Sequence, residues 1–250
     1  MLAILLPLLA GAQSFVSNGI HYEVIYKTNN VKVTPEYRFD DYSSYSPVSS
    51  GYRYVYKSQW NEDDEQYDLG YVENPTYSGV VVIPSTVSYN GVEYTVSEID
   101  NQAFAVSDIT NITLPSTITK IGNDAFYQCK NLQTFEAPIY RSVESIGYRA
   151  FTDCSSMKEI IIPSSVGSIG HSSFWHCTGK LTVYNSTVMS SDGIYPFRNS
   201  DFNEVIINSD VPDGPASSMY GVFSDCEKLE KVTLSERVMT VGTYAFHFCI

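Results

Sequence analysis

Phenylalanine recurs along this chain with a spacing that leaves few folds open. Phe104, Phe126, Phe151, Phe174, Phe197, Phe223 and Phe246 succeed one another at gaps of 22, 25, 23, 23, 26 and 23 residues. Five residues before most of them stands a branched aliphatic, at Ile99, Ile121, Ile146, Ile169 and Val241. In the last four of these a glycine follows directly, at Gly122, Gly147, Gly170 and Gly242. A small residue precedes the phenylalanine at Ala103, Ala125, Ala150, Ser173 and Ala245. All five cysteines, Cys129, Cys154, Cys177, Cys226 and Cys249, fall three residues after an in-frame phenylalanine, and Ser107 and Ser200 hold that place in the other two units. Self-similarity of this kind marks a stack of supersecondary units, because each unit can bury its apolar face only against its neighbours.

Further along each unit come apolar residues at two-residue spacing: Ile112 and Leu114, Phe135 and Ala137, Ile160 and Ile162, Leu181 and Val183, Val205 and Ile207, Val232 and Leu234. Period two predicts a short strand with those side chains on one face. Pro115, Pro138 and Pro163 follow at once, where a residue without an N–H can stop a strand. Stacked in one direction, such units predict a β-rich solenoid with a parallel sheet on one side and short turns or helical turns on the other. A period near 23 residues fits a leucine-rich repeat better than helical repeats, whose units are longer.

The stretches Ile121-Gly122-Asn123-Asp124-Ala125-Phe126-Tyr127-Gln128-Cys129 and Ile160-Ile161-Ile162-Pro163-Ser164-Ser165-Val166 resemble the BspA-like leucine-rich repeats of surface proteins from host-associated bacteria and some parasitic protists. The resemblance covers roughly residues 80–250 in seven units. It implies a secreted or cell-surface chain that adheres to matrix or host glycoproteins or to neighbouring microbes. The unit around Phe197 departs from the pattern, with Pro196 before it and no cysteine after it.

Outside the repeats, three regions are expected. Residues 1–12 read as a signal peptide, with the apolar run from Leu2 to Ala10 and the small-x-small Ala10-Gly11-Ala12 before a cut at Gln13; a buried N-terminal strand is the alternative. Residues 13–79 lack the repeat and carry Tyr52, Tyr54 and Tyr56 at strand spacing, so they are expected to form a β-rich cap over the raw end of the stack. Within them, residues 43–51 and Glu62-Asp63-Asp64-Glu65 read as turns or loops, and Asn90-Gly91 predicts a tight hairpin turn into the first full unit. Residues 80–250 form the solenoid, whose last unit stops at Ile250 before its own strand, as a fragment of a longer protein would.

Several functions are disfavoured by chemistry. A formal charge of −13 repels a phosphate backbone, so nucleic acid is a poor partner. No stretch after the leader is long and apolar enough to span a bilayer. There is no P-loop, HExxH or glycine-rich dinucleotide motif, and no cofactor is implied. An enzyme is therefore not expected; an unrecognised carboxylate pair acting on glycans is the remote exception. His171, His176 and Cys177 lack a second ligand pair for zinc, and the acidic run lacks the ligand spacing of a calcium loop. Asn111-Ile112-Thr113 and Asn185-Ser186-Thr187 are glycosylation sequons, relevant only in a eukaryotic secretory pathway. The cysteines share one repeat position and are expected as buried, reduced core residues, with structural disulfides as the alternative.

What remains is recognition. The residue between two inward aliphatics must point outward, so Thr113, Glu136, Ile161, Thr182, Ile206 and Thr233 should form one outer row. Asn111, Thr134, Glu159, Lys180, Glu204 and Lys231 should form a second, whose last four members alternate in sign and are placed to neutralise one another. Outward Ile161 and Ile206 offer apolar area that a partner could cover, or reflect strand propensity alone. The expected role is thus an extracellular module binding a protein or glycan. The competing role is a spacer that carries a further domain.

Overall fold

The computed structural model describes residues 13–35, 55–61, 66–70, 77–136, 142–184, 195–211 and 221–249. The leader-like run, residues 43–51, the acidic run at Glu62 to Glu65, Tyr52, Tyr54, Ala137, Pro138 and Asn185 lie outside the described residues. In chain order the strands are β1 (Ser14–Ser17), β2 (Ile20–Val24), β3 (Asn30–Val33), β4 (Val55–Asn61), β5 (Gln66–Gly70), β6 (Ser78–Val82), β7 (Thr86–Tyr89), β8 (Val92–Ile99) and β9 (Asp108–Thr113). They continue as β10 (Lys120–Ile121), β11 (Thr134–Glu136), β12 (Ser145–Ile146), β13 (Glu159–Ile162), β14 (Ser168–Ile169), β15 (Thr178–Val183), β16 (Asp201–Ile207) and β17 (Lys231–Leu234). Among the described residues there is no helix; the side away from the sheets is built of turns.

The period-two segments pair in parallel with aliphatic over aliphatic. Val81, Ile112 and Phe135 share one register across β6, β9 and β11, and Ile160, Leu181, Val205 and Val232 share another across β13, β15, β16 and β17. A second parallel ladder runs through the aliphatic that precedes each glycine, Ile99, Ile121, Ile146 and Ile169, on β8, β10, β12 and β14. The glycines allow this stack to close: a Cβ on Gly147 would lie 2.5 Å from the backbone of Gly122 and Asn123. At the N-terminal end β1, β2 and β3 run antiparallel to one another and β3 joins β8 in parallel. Asn90 and Gly91, both at positive φ (50° and 77°), turn β7 back onto β8. Lys32 anchors this cap to the first turn through Asp100 at 2.9 Å.

The phenylalanines form the spine. From Phe104 to Phe246 consecutive rings lie 5.3, 5.0, 5.3, 5.4, 5.4 and 5.2 Å apart, centroid to centroid, with planes within 23° of parallel. Around each ring the backbone makes an unusual turn. The residue two after it adopts left-handed φ in every unit, and the residue two before it does so in all but the Phe197 and Phe223 units, as at Gln102 and Val106, Asp124 and Gln128, Arg149 and Asp153. Each such residue costs roughly 1–2 kcal/mol relative to right-handed backbone. The alternation offsets that cost by aiming every second N–H along the stack. Gln102, Phe104 and Val106 donate to the carbonyls of Asn123, Ala125 and Tyr127 at 2.9, 2.8 and 2.7 Å, and Asp124, Phe126 and Gln128 repeat this towards Tyr148, Ala150 and Thr152. Each turn is thereby a third inter-repeat ladder.

Two expectations are corrected. Val232 and Leu234, expected to face inward, are exposed, because no described strand covers the far side of β17. The sheet is also not continuous: β11 and β13 do not pair, and the join is bridged by Lys158 N–H donating to Gln133 O at 3.1 Å.

A ring with two stacked neighbours should matter more than a terminal one. Phe151→Ala is expected to destabilise by about 3–5 kcal/mol, the usual range for a buried phenylalanine, and Phe246→Ala by clearly less, as read by urea unfolding. Hydrogen exchange should be slow at β13 and fast from β17 onward; uniform protection along the stack would contradict this.

Candidate functional site

The parallel sheets present an outer face whose rows follow from strand alternation. In one row Glu159, Lys180, Glu204 and Lys231 lie side by side in register. Lys231 Nζ donates to Glu204 Oε1 at 2.8 Å, and its ammonium lowers that carboxyl's pKa; Lys180 Nζ lies 3.9 Å from Glu159. Asn111 Nδ2 donates to Thr134 Oγ1 in the same row of the other sheet. These polar groups satisfy one another.

In the second row Ile161, Thr182, Ile206 and Thr233 are in register, as are Thr113 and Glu136. Thr182 is not available to a ligand: it is 6% exposed, lodged between the larger Ile161 and Ile206. Ile161 and Ile206 are half-buried, and Ile161 also closes an apolar cleft with Ile121, Phe135, Ile146, Phe151 and Phe174, beside the break between β11 and β13. The rows continue at the N-terminal end into Val80 and Val82, which pair with Asn111 and Thr113 and are 69% and 61% exposed. Sequence reasoning missed these two, because the first strand precedes the first in-frame phenylalanine. Val81-Val82-Ile83-Pro84 repeats the Ile160-to-Pro163 pattern and could have signalled them.

A second surface lies on the turns. Tyr148 is 46% and Trp175 37% exposed. Tyr148, His171 and Tyr195 follow one another at 6.3 and 6.1 Å, and the Arg149 guanidinium lies 4.3 Å from the Tyr127 ring. Arg149 and Arg198 are held by Asp124 and Asp225 at 3.2 and 2.7 Å. Burial and the Arg198 charge lower the His171 pKa. No motif predicts this grouping, which arises where turn positions of successive units overlap.

The histidines and cysteine considered for zinc are engaged separately. His176 Nδ1 meets Asp153 at 2.8 Å, His171 Nδ1 meets Ser172 Oγ at 2.6 Å, and Cys177 faces the core. Among the described residues no three His, Cys, Asp or Glu side chains converge as metal ligands would, and no helix is long and apolar enough to cross a membrane.

The cysteines act as donors. Cys129, Cys154, Cys177, Cys226 and Cys249 each point Sγ at the carbonyl of the preceding unit's phenylalanine, at 3.0, 3.2, 3.0, 3.2 and 2.9 Å. Ser107 and Ser200 donate instead to their own unit's phenylalanine carbonyl, each at 2.7 Å. All five thiols are free; four are buried and Cys249 is half-buried.

A stack of short β units joined by parallel ladders, with a row of paired charges on its sheet face, fits a binding module. The chain belongs to the BspA-type leucine-rich-repeat family, whose model matches six copies over residues 97–213 and 219–250, more than half of the sequence. Its fold is similar to that of a leucine-rich repeat protein of T. pallidum, at 18% identity over 94% of this chain and 91% of that one, with a TM-score of 0.55. It is also similar to a leucine-rich cell surface protein of Faecalibacterium prausnitzii, at 21% identity over 90% of this chain and 55% of that one, with a TM-score of 0.54. At these identities the likeness is one of fold. No curated protein matches the sequence.

The thiols should differ in reactivity. Burial pushes Cys129 and Cys154 well above the ordinary thiol range, whereas the contact with the Cys226 thiol holds Cys249 at about 7. Iodoacetamide should label Cys249 alone in the folded chain, faster as pH rises through 7, and the other four only on denaturation. Bridges between consecutive repeats in the mass spectrum would overturn this assignment.

Proposed function

We propose that this chain is an extracellular or cell-surface recognition module that binds a protein or glycan through the outer face of its parallel sheets. One observation carries the proposal. On a face whose charged row is internally neutralised, the uncompensated groups are apolar: Ile161, Ile206, Val80 and Val82. A partner that covers them gains burial without stranding a charge, as in the centre of a protein interface. The family supports this role, since a repeat scaffold keeps its frame positions for packing and leaves the outward ones free to vary. The cell-surface description of the Faecalibacterium protein supports the location.

The test is a binding array of residues 13–250 against matrix proteins and glycans. Saturable capture by the parent is expected, with a loss of about tenfold or more in the double variant Ile161→Asp and Ile206→Asp, the size of a modest hot spot. Tyr148→Ala with Trp175→Ala should bind like the parent. Loss in the turn variant alone would move the site to the turns. No capture by the parent would favour a spacer.

A further inference from the structure

We infer that the open edge of β6 binds one extended polypeptide strand of a protein partner, by strand addition to the first parallel sheet. β6 pairs with β9 on one side, and among the described residues no strand pairs with the other. Ile83 N–H donates to Thr113 O at 2.9 Å. In a parallel ladder this turns the N–H and C=O of Val81 and Ile83 towards β9 and those of Val80 and Val82 towards the open edge. The strand is accessible: Val80 and Val82 are 69% and 61% exposed, and a Cβ built on Gly79 meets nothing within 4 Å. It also lacks the features that usually blunt an edge. Ser78 to Ile83 contains no lysine, no other charge and no proline. The bulge at Gly79 lies at its start and leaves Val80 to Val82 regular.

The occupant follows from shape and chemistry. Another solenoid cannot stack here, because the cap closes the adjoining end of the core: Tyr22 is buried, and His21 N–H donates to the Tyr77 hydroxyl at 3.2 Å. One strand at the rim needs no such room. Alternating N–H and C=O groups at strand spacing match a peptide backbone and not a sugar ring. Beside Val80 and Val82 the incoming strand should present small β-branched or apolar side chains on its outer face. Because the chain carries a formal charge of −13, the strand should be neutral or basic at its ends. This inference shares Val80 and Val82 with the proposed face, but its test is separate, because Ile161 and Ile206 belong to the other sheet.

The experiment uses the nitrogen-15-labelled chain and a ten-residue peptide alternating threonine and valine with a lysine at each end. Titration should saturate, slow exchange at the Val80 and Val82 amides and leave Val81 and Ile83 unchanged. Glutamate at the peptide ends should weaken binding, and so should salt for the lysine form. Val82→Pro removes one outward donor without touching the ladder to β9, and should cost about tenfold in affinity, the worth of one or two strand hydrogen bonds. If that variant fails to fold, Val80→Lys with Val82→Lys, at two exposed side chains, should abolish binding of the lysine-ended peptide. Equal affinity in the folded variants would overturn the inference. So would protection of both amides without peptide, which would mean the edge is filled by the chain itself.

Discussion

Every part of this fold answers to one distance, the rise from one unit to the next. Parallel strands pair at roughly 4.8 Å, and the phenylalanine rings stack at 5.0 to 5.4 Å. The turns between them close hydrogen bonds of 2.7 to 3.1 Å at the same repeat. A side chain at Gly147 would not fit that rise. Nor would an ordinary turn, whose N–H groups would not all point along the stack. The left-handed residues that flank the phenylalanines are the local cost of a ladder that no single unit could form alone. The thiols belong to the same device, since each one satisfies a phenylalanine carbonyl of the unit before it.

Because packing uses a fixed set of positions, the others are free to vary in chemistry. Beside and between the inward aliphatics lie the outward positions. They can be charged, as along Glu159, Lys180, Glu204 and Lys231, or apolar, as at Ile206. On the turns, the positions flanking the phenylalanine carry Tyr148, His171, Trp175 and Arg198 without disturbing the ring stack. A single frame thus offers two chemically distinct surfaces. Along that row the charges neutralise one another despite the acidity of the chain, which leaves Ile161 and Ile206 as apolar groups beside it.

The two ends of the stack are not equivalent. At the first unit the cap supplies strands to one ladder through β3 and β8 and covers the core with Tyr22, while among the described residues β6 in the other ladder pairs on one side only. At the last unit β17 is exposed along its whole length, and apolar residues that would be inward elsewhere face solvent. Position within the stack, rather than residue type, sets these exposures.

The sequence by itself determined the repeat, the direction of stacking and the inward residues of the inner units, because period two and a fixed phenylalanine frame are local patterns. It also placed the alternating charges and the shared cysteine position, which need only the register. Other features required coordinates, since they arise between units and not within them. The burial of Thr182 depends on the size of its neighbours on two other strands. The break between β11 and β13 and the aromatic cluster depend on how successive units sit against one another. The donor role of the thiols emerges only when each carbonyl of one unit is brought beneath the sulfur of the next. Local periodicity writes the frame into the chain, but contacts across some 20 to 30 residues decide the surfaces, as in the 23-residue separation of Asp153 and His176 and the 27-residue separation of Arg198 and Asp225.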